Sequence, residues 1–502
     1  MKLTQIALAL AAISAAPAFA VDITIGGTPP VSGGIPVIYI SGASALSGTF
    51  GTAVGALCAV PLVKYIDNKD GKQTAAYLCN NALVTSGFGT GVDKFIAVKR
   101  DEDGSFAGVG PVIQKGYNAN GIDAKHSASP AGGLNFMDLK NCTTGTTPLT
   151  CVYTPPFTTG QMVPGLIVPD AGLTDVETNI WKGRGQFPFP APAPDITLIP
   201  TTFKTGFAAQ GFGIAVTEEL YKAMQTKALA DGDLEAPCVV GDFTAACQPS
   251  ISRAQYTSIA SQSGGYHTDW SPILGASGGG QAVNLCRRVK TSGTQASSDT
   301  YFLSNPCANA NPTFGLLAPA EIGDSAAGAF HVSENSSTGN VKNCLNYHNN
   351  GFDNTTTGPN AFISNNEATE GKFAIGVVSL ENLPAAGTGP IVSGPASAVA
   401  AGDKWKFVEL SDVSPNLDAN QRQTAIDGDY DFAFEFEALW RNEIGAPRIT
   451  FMNALVNELG NPGGVNLRGI YTVPGTFDNA TFPTLVGKGS RFGNSCQPLQ
   501  LF

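Results

Sequence analysis

Short apolar runs that end in turns of small residues recur along the chain and dominate its pattern. The run Val-Ile-Tyr-Ile at 37–40 and the run at 94–99 predict buried strands. Further strands are predicted at 166–170, 206–216, 373–380, 404–410 and 432–440, and helices through Leu57, up to Trp181, and over 218–229, 252–260 and 451–459. Strands that alternate with helices predict an α/β protein with mostly parallel sheets.

Two of the turns place small polar residues between a strand and a helix start. The first is Ser-Gly-Ala-Ser-Ala at 41–45, and the second is Arg-Val-Lys-Thr-Ser-Gly-Thr at 288–294. Backbone N–H groups and hydroxyls at a helix start favour a bound anion, and an arginine adds a planar fork for two oxygens. The local alternative for the second turn is an ordinary N-cap beside a solvated arginine.

Composition narrows the classes of partner. The 502 residues carry a formal net charge of −11, only 14% are charged, and no basic run stands out. These values argue against nucleic acid or an anionic membrane as a partner, and the 43% hydrophobic content argues against a disordered chain.

The first 20 residues have the pattern of a secretory signal peptide, with a positive start, an apolar Ala-rich run and a small-x-small end at Ala18-Phe-Ala20. No later apolar run is long enough for a membrane span, and no cysteine marks a lipid anchor at the cleavage point. We therefore expect a periplasmic or exported protein.

The ten cysteines agree with an oxidising compartment. The nearest two are nine residues apart and there is no Cys-x-x-Cys pair, so disulfides are favoured over a structural zinc site. Proximity in sequence suggests the pairs Cys58–Cys79, Cys142–Cys151, Cys238–Cys247 and Cys286–Cys307, with Cys344–Cys496 at long range.

The order of the turn motifs resembles the phosphate-binding proteins of bacterial ABC uptake systems, within the type 2 periplasmic binding fold. The resemblance covers about 37–440 and follows the family's order of motifs. These are Ile-Ser-Gly-Ala-Ser-Ala at 40–45, Gly-Ser at 104–105, Gly-Leu-Thr-Asp at 172–175, Gly-Ile-Ala-Val at 213–216, Asp-Trp at 269–270, the arginine turn at 288–294, Ala-Ile-Gly-Val at 374–377 and Asp-Gly-Asp-Tyr at 427–430.

The resemblance implies a ligand site for phosphate or a related oxyanion. Matched residue by residue, its contacts would be Ser44, Ala45, Ser105, Asp175, Arg288, Ser292, Gly293 and Thr294. A carboxylate beside an anion is consistent with an anion that keeps a proton to donate, so that a fully ionised tetrahedral anion is rejected.

Two positions depart from the family pattern. The chain has Leu46-Ser47 where the family usually places Thr-Phe, so one hydroxyl is missing or shifted. Lys290 stands where the family often has a second aspartate. Replacing a negative group by a positive one favours a more highly charged anion or a different one.

The resemblance also implies the organisation of the mature chain. It predicts a two-lobed type 2 periplasmic binding protein-like fold with a central, mostly parallel sheet in each lobe. Lobe 1 would comprise 21–205 and 390–502, and lobe 2 would comprise 206–389. The anion would bind between the lobes, which close by a hinge. We expect a monomer with no cofactor and no enzymatic activity, which delivers its ligand to an ABC permease in the inner membrane.

Other interpretations stay open at this point. One is an exported structural or surface protein on the same fold whose ligand was lost or changed. Another is a secreted serine hydrolase, because Gly-Ala-Ser-Gly-Gly at 275–279 fits a nucleophile elbow around Ser277. The acidic run at 101–103 could bind calcium weakly but is typical of a solvated turn. The four histidines are far apart in sequence, and we expect surface or hydrogen-bonded loop positions for most of them.

Overall fold

A computed structural model describes residues 35–68, 74–88, 92–113, 134–143, 148–153, 166–182, 201–261, 267, 269–307, 315–322, 330–350, 352–354, 362–364, 372–384, 402–464 and 467–502. The predicted signal peptide lies outside the described residues. Within these ranges no helix is long and apolar enough to cross a lipid bilayer.

The described strands and helices alternate along most of the chain. The strands are β1 Val37–Gly42, β2 Val63–Asp67, β3 Thr74–Cys79, β4 Phe95–Arg100, β5 Leu134–Asn135, β6 Met137–Thr143, β7 Leu149–Tyr153, β8 Leu166–Ile167, β9 Ala171–Thr174, β10 Thr201–Thr217, β11 Ser250–Ile251, β12 Val283–Arg288, β13 Phe330–Asn335, β14 Phe352–Asn354, β15 Phe362–Ser364, β16 Ala374–Ser379, β17 Trp405–Phe407, β18 Glu409–Leu410, β19 Ala433–Arg441, β20 Ile470–Thr472, β21 Gly489–Ser490 and β22 Gln500–Leu501. The helices are α1 Ser47–Ala56, α2 Gly110–Ile113, α3 Glu218–Asp231, α4 Arg253–Ala260, α5 Ser271–Leu274, α6 Gly293–Leu303, α7 Thr338–Asn349, α8 Gln423–Asp427 and α9 Ala446–Leu459.

One 14-stranded sheet runs through the described part of the chain, in the order β13-β12-β16-β10-β19-β9-β1-β4-β3-β2-β7-β6, with β17 and β20 also paired to β10. We call the side around β9, β1 and β4 the first half and the side around β16, β12 and β13 the second half. The strands at the centre of each half are parallel. The predicted α/β architecture with parallel central sheets is therefore confirmed.

The long strands β10 and β19 join the two halves. They pair antiparallel with each other, and the register shifts between Thr205 and Ala209. β10 starts at Thr201, earlier than predicted, and continues to Thr217, whose hydroxyl oxygen accepts from the Leu220 N–H and caps α3. The chain therefore turns directly from the joining strand into a helix of the second half.

The sequence patterns predicted no strand between 140 and 164. In the structure, β6 and β7 pair antiparallel at the outer edge of the sheet, with Cys142 opposite Cys151. The division into lobes at 205 and 389 stays a prediction. That division assigned strands β17 and β18 to lobe 1. In the structure β17 pairs with the end of β10, from Ala215 to Thr217, and β18 pairs with β11.

Five disulfides join all ten cysteines. Three of the four pairs predicted from proximity in sequence are confirmed: Cys58–Cys79, Cys142–Cys151 and Cys238–Cys247. The predicted pairs Cys286–Cys307 and Cys344–Cys496 are wrong, because Cys286 bonds Cys344 and Cys307 bonds Cys496. Cys286 lies in the middle of strand β12, where α7 packs and brings Cys344 to it, whereas Cys307 follows the far end of α6.

Candidate functional site

Three turns of the first half meet where β1, β4 and β9 end, and they pack backbone against backbone. A Cβ atom on Gly172 would lie 1.6 Å from the carbonyl oxygen of Gly108, and one on Gly42 would lie 2.1 Å from that of Leu173. The Ser41 hydroxyl donates to the Ala107 carbonyl at 2.7 Å. Since no side chain larger than hydrogen fits at Gly172, these turns form a rigid edge.

The turn after β12 in the second half contacts this edge directly. The Phe106 N–H donates to the Thr291 carbonyl at 3.1 Å. A Cβ on Gly293 would lie 2.2 Å from Asp175 Oδ2 and 2.3 Å from Ser105 Oγ. Ser105, Asp175 and Gly293, three of the residues predicted for the ligand site, therefore converge, and the two halves are closed on each other here.

Asp175 is buried at the centre of this contact. Its own N–H donates to Ser105 Oγ at 3.3 Å, while Oδ1 of its carboxyl group has no hydrogen-bond partner among the described residues. Burial raises the pKa of Asp175 to about 6, although the Ser105 hydroxyl and the charges of Arg288 and Lys99 oppose the shift. The carboxyl group therefore titrates close to the neutral range.

Arg288 is the cation of the second half at this site. Its Nη1 donates to Thr338 Oγ1 at 2.9 Å and its Nη2 to the Ser336 carbonyl at 3.0 Å, whereas its Nε has no hydrogen-bond partner in the part of the chain that the structure describes. Burial lowers the pKa of Arg288 to about 10, against the attraction of Asp175 and Glu381. The guanidinium thus stays charged at neutral pH.

The hydroxyl of Thr291 is a third polar group at the site without a hydrogen-bond partner among the described residues. Thr291 is 1% exposed, and its Oγ1 has no partner among the described residues. Ser292 and Thr294 are buried beside it, with Ser292 at the N-cap of α6 and Thr294 in the first turn. The positive end of the α6 dipole therefore faces the turn that contacts Asp175.

Two residues of the first turn lie apart from this cluster. Ser44 is exposed, and Ala45 packs in the core of the first half beside Leu46 and Phe50. Within the described residues no hydrogen bond joins Ser44 or Ala45 to the other predicted site residues. Leu46, one of the two departures, serves as a core side chain, and the other, Lys290, is half-buried.

Sequence reasoning missed two charged residues near Asp175. Lys99 is 1% exposed, and its Nζ contacts the carbonyls of Gly42 and Ala43 at 2.5 and 3.2 Å and Asp101 at 2.5 Å. Glu381 follows β16 and accepts from the Ser379 hydroxyl at 3.2 Å. Burial and the Asp175 carboxylate raise the pKa of Glu381 to about 7. A lysine at the end of an otherwise apolar strand was the only signal for Lys99.

The hydrolase and calcium interpretations lose their geometric basis. Ser277 lies in a short turn after α5 and donates to the Leu274 carbonyl at 2.8 Å, so it does not stand at the strand-to-helix elbow that the motif requires. In the acidic run, Asp101 pairs with Lys99, and Asp103 pairs with Arg100 at 2.8 Å. These carboxylates neutralise buried cations of the same strand.

The expectation for the histidines was wrong for two of the four. His331 and His348 are 2% and 1% exposed, on β13 and α7, whereas His267 is exposed and His126 lies outside the described residues. The two buried histidines are 17 residues apart in sequence, and the packing of α7 on the sheet brings them together.

Comparisons with known proteins find similarity at the level of structure. No protein-family model matches the chain, and no curated protein matches its sequence. An ABC-type phosphate transport receptor from Vibrio cholerae is 13% identical over 58% of this chain and 74% of its own, with a TM-score of 0.28. A possible phosphate binding protein from Planctomyces limnophilus DSM 3776 is 10% identical over 57% of this chain and 70% of its own, with a TM-score of 0.27. Similarity at this level is distant and says nothing about the ligand of this chain.

Proposed function

We propose that this chain is an exported solute-binding protein that holds phosphate or a related oxyanion between its two halves. The observation that carries the proposal is a pair of complementary buried groups without partners. Arg288 Nε can donate and Asp175 Oδ1 can accept, and among the described residues no group accepts from the first or donates to the second. Because a buried unsatisfied charge is costly, a ligand that bridges both groups would stabilise the closed form.

The chemistry of these groups selects the class of ligand. A guanidinium, a threonine hydroxyl and a helix N-terminus donate to oxygens of an anion. A carboxylate can only accept, so the ligand must also carry a proton. Monoprotonated or diprotonated phosphate meets both requirements, and arsenate does so as well, whereas sulfate at neutral pH has no proton to donate. We expect phosphate and arsenate to bind more tightly than sulfate.

Ligand entry requires the halves to separate, because Arg288 and Asp175 are both about 5% exposed in the closed form. The predicted lobes would open by a hinge in β10 and β19, the strands that join the two halves. In the proposed role a monomeric chain outside the cytoplasm captures the anion, and the closed form is presented to an ABC permease. The five disulfides agree with such a compartment.

Calorimetry tests the proposal. The purified mature chain, first stripped of carried-over ligand by unfolding and refolding, is titrated with phosphate, arsenate and sulfate. We expect saturable phosphate binding that falls by about 100-fold in Arg288→Met, since a hydrogen bond to a charged group contributes about 1.5–3 kcal/mol and each 1.4 kcal/mol is tenfold. The exposed Arg253→Met is the matched control and should bind like the wild type.

One observation favours the second candidate, an exported structural or surface protein. The C-terminal segment spans both halves, because Cys496 bonds Cys307 after α6 while the Ser495 hydroxyl oxygen accepts from the Glu177 N–H at 3.2 Å. Such a brace would oppose opening. If the refolded chain shows no binding heat with any of the three anions, and also none after Cys307→Ser/Cys496→Ser releases the brace, the structural role replaces the transport role.

A further inference from the structure

A cluster of potential metal ligands lies in the core of the second half, away from the anion site. Cys286 is on β12, and Cys344 and His348 are four residues apart on α7. Their candidate ligand atoms all lie within 4.8 Å of one another, and none of the three residues is more than 1% exposed. It is the only cluster of this kind among the described residues. In the structure Cys286 and Cys344 form a disulfide.

His331 belongs to the same neighbourhood. In the parallel register of β12 and β13 it lies level with Asn284, two residues before Cys286, so its side chain shares the sheet face of Cys286. Its Nδ1 is 3.0 Å from Asn284 Oδ1. A proton on Nδ1, donated to the amide oxygen, directs the lone pair of the ring to Nε2, as outer partners commonly do for metal-bound histidines.

One ring nitrogen of His348 is buried without a hydrogen bond to any described residue. Its Nδ1 is buried and has no partner among the described residues. In the disulfide state this atom stays unsatisfied, and a metal ion bound in the reduced state would satisfy it.

We propose that Cys286, Cys344 and His348 form a zinc-type metal site in the reduced chain. Two thiolates and neutral imidazole are the ligands that Zn²⁺ prefers in tetrahedral sites. The disulfide and the metal site are then mutually exclusive states of one cluster, because the same two sulfur atoms serve both.

Conversion of the disulfide into the metal site takes two steps, reduction and metal binding. A dithiol reductant transfers two electrons and two protons to the disulfide and itself becomes a disulfide, leaving two thiols on Cys286 and Cys344. When the metal binds, each thiol releases one proton to water. Re-oxidation by a second disulfide, which accepts two electrons and becomes a dithiol, restores the Cys286–Cys344 bond and releases the ion.

Cobalt spectroscopy on the full chain tests the proposal. The sample is reduced with a phosphine, which converts to its oxide without holding the metal as a dithiol would, and is titrated with Co²⁺ without oxygen. We expect one Co²⁺ per chain with the visible bands of tetrahedral cobalt and a thiolate-to-cobalt charge-transfer band, both lost on adding Zn²⁺. The oxidised chain should show neither band.

Three variants locate the site. Cys286→Ser/Cys344→Ser should lose the charge-transfer band, and His348→Gln should weaken Co²⁺ binding by at least about tenfold. The exposed His267→Gln and the double variant Cys238→Ser/Cys247→Ser, which removes a disulfide without a nearby histidine, should both behave like the wild type.

Near-UV circular dichroism monitors folding in the same samples. If reduction unfolds the chain, Zn²⁺ should restore the native signal in the wild type and fail to do so in His348→Gln. The proposal is overturned if the folded, reduced wild type gives no charge-transfer band, or if the band persists in Cys286→Ser/Cys344→Ser. It is also overturned if Zn²⁺ fails to refold a reduced, unfolded wild type.

Discussion

The two sides of the closed contact each bury a cation beside Asp175, and they use it differently. In the first half, the Lys99 ammonium group donates to the carbonyls of Gly42 and Ala43 and pairs with the Asp101 carboxylate. In the second half, Arg288 binds two groups of its own half with Nη1 and Nη2 but keeps Nε unused. The ammonium group of Lys99 therefore holds a turn together, while Arg288 keeps one N–H group without a hydrogen-bond partner among the described residues.

The same contrast holds for the backbone on the two sides. Gly42, Gly108 and Gly172 of the first half are packed against main-chain atoms of the same half, whereas Gly293 is packed against side-chain atoms of the opposite half. A rigid edge on one side and a separable contact on the other is what a cleft that opens and closes requires. The predictions below test this division, in order of decreasing effect.

Replacing a glycine by alanine should lower stability in the first half but weaken ligand binding in the second half. In Gly172→Ala the new methyl group would lie 1.6 Å from the Gly108 carbonyl oxygen, and relief requires a shift of a strand in the sheet. We expect the free energy of unfolding to fall by about 3 kcal/mol or more. In Gly293→Ala the atoms in the way are the ends of Asp175 and Ser105, so opening of the halves relieves the overlap.

Urea unfolding and phosphate calorimetry on both variants measure the difference. Gly293→Ala should retain most of the wild-type stability and lose phosphate affinity, because the closed form is disfavoured. Equal losses of stability in the two variants would contradict the distinction between a rigid edge and a separable contact.

Removing the lysine should damage stability rather than binding. Lys99→Met leaves the Asp101 carboxylate without its cation and the Gly42 and Ala43 carbonyls without their donor. Breaking such a buried pair on one side is expected to lower the free energy of unfolding by about 3 kcal/mol. The exposed Lys64→Met is the control and should unfold like the wild type. A stable Lys99→Met variant that fails to bind phosphate would instead make Lys99 a ligand contact.

Sequence patterns predicted the elements of both halves better than the contacts between them. The apolar runs at 37–40 and 94–99 became β1 and β4, since a buried central strand needs a short continuous apolar run whatever its neighbours are. The disulfides show the limit. Cys58–Cys79 was predicted correctly, but Cys286–Cys307, with the same spacing of 21 residues, was not. The bonds Cys286–Cys344 and Cys307–Cys496 depend on helix packing and chain topology, which spacing does not encode.

The candidate site shows the same limit in finer detail. Motif order indicated that Ser105, Asp175 and Gly293 would meet, because turns at the carboxyl ends of neighbouring strands share one edge. Motif order did not indicate that Ser336 and Thr338 would accept hydrogen bonds from two nitrogens of Arg288, since these partners lie 48 and 50 residues away on another turn. Nor could it separate Ser44 from Ser105, which occupy equivalent places in similar motifs.

The carboxyl group between the two cations should make stability depend on pH. The folded-state pKa of Asp175 is about 6, above its ordinary value of 3.8, so the folded form binds the proton more tightly. Stability from this group is complete below about pH 4 and is lost as the pH rises to about 6, by up to about 3 kcal/mol. Asp175→Asn removes this titration, so the ligand-free variant should be more stable than the wild type at pH 7 and nearly equal at pH 4.

Urea unfolding at several pH values measures this effect, with the exposed Asp233→Asn as the control. The pKa of Glu381 is raised in the same direction, to about 7, and part of that shift comes from the Asp175 carboxylate. The difference between wild type and Asp175→Asn therefore measures the titration of Asp175 together with its coupling to Glu381. A difference that does not change between pH 4 and pH 7 would show that this carboxyl group is not desolvated in the closed form.

The smallest expected effect concerns the two serines that the family resemblance treats alike. Ser105 is 1% exposed and accepts from the Asp175 N–H, whereas Ser44 is exposed and lies outside the closed contact. Ser105→Ala should weaken phosphate binding by about tenfold, the effect of one hydrogen bond of roughly 1 kcal/mol or slightly more. Ser44→Ala should stay within about twofold, as surface substitutions do. If Ser44→Ala has the larger effect in calorimetry, the first turn must move onto the ligand on binding, and the first half is less rigid than its glycine packing indicates.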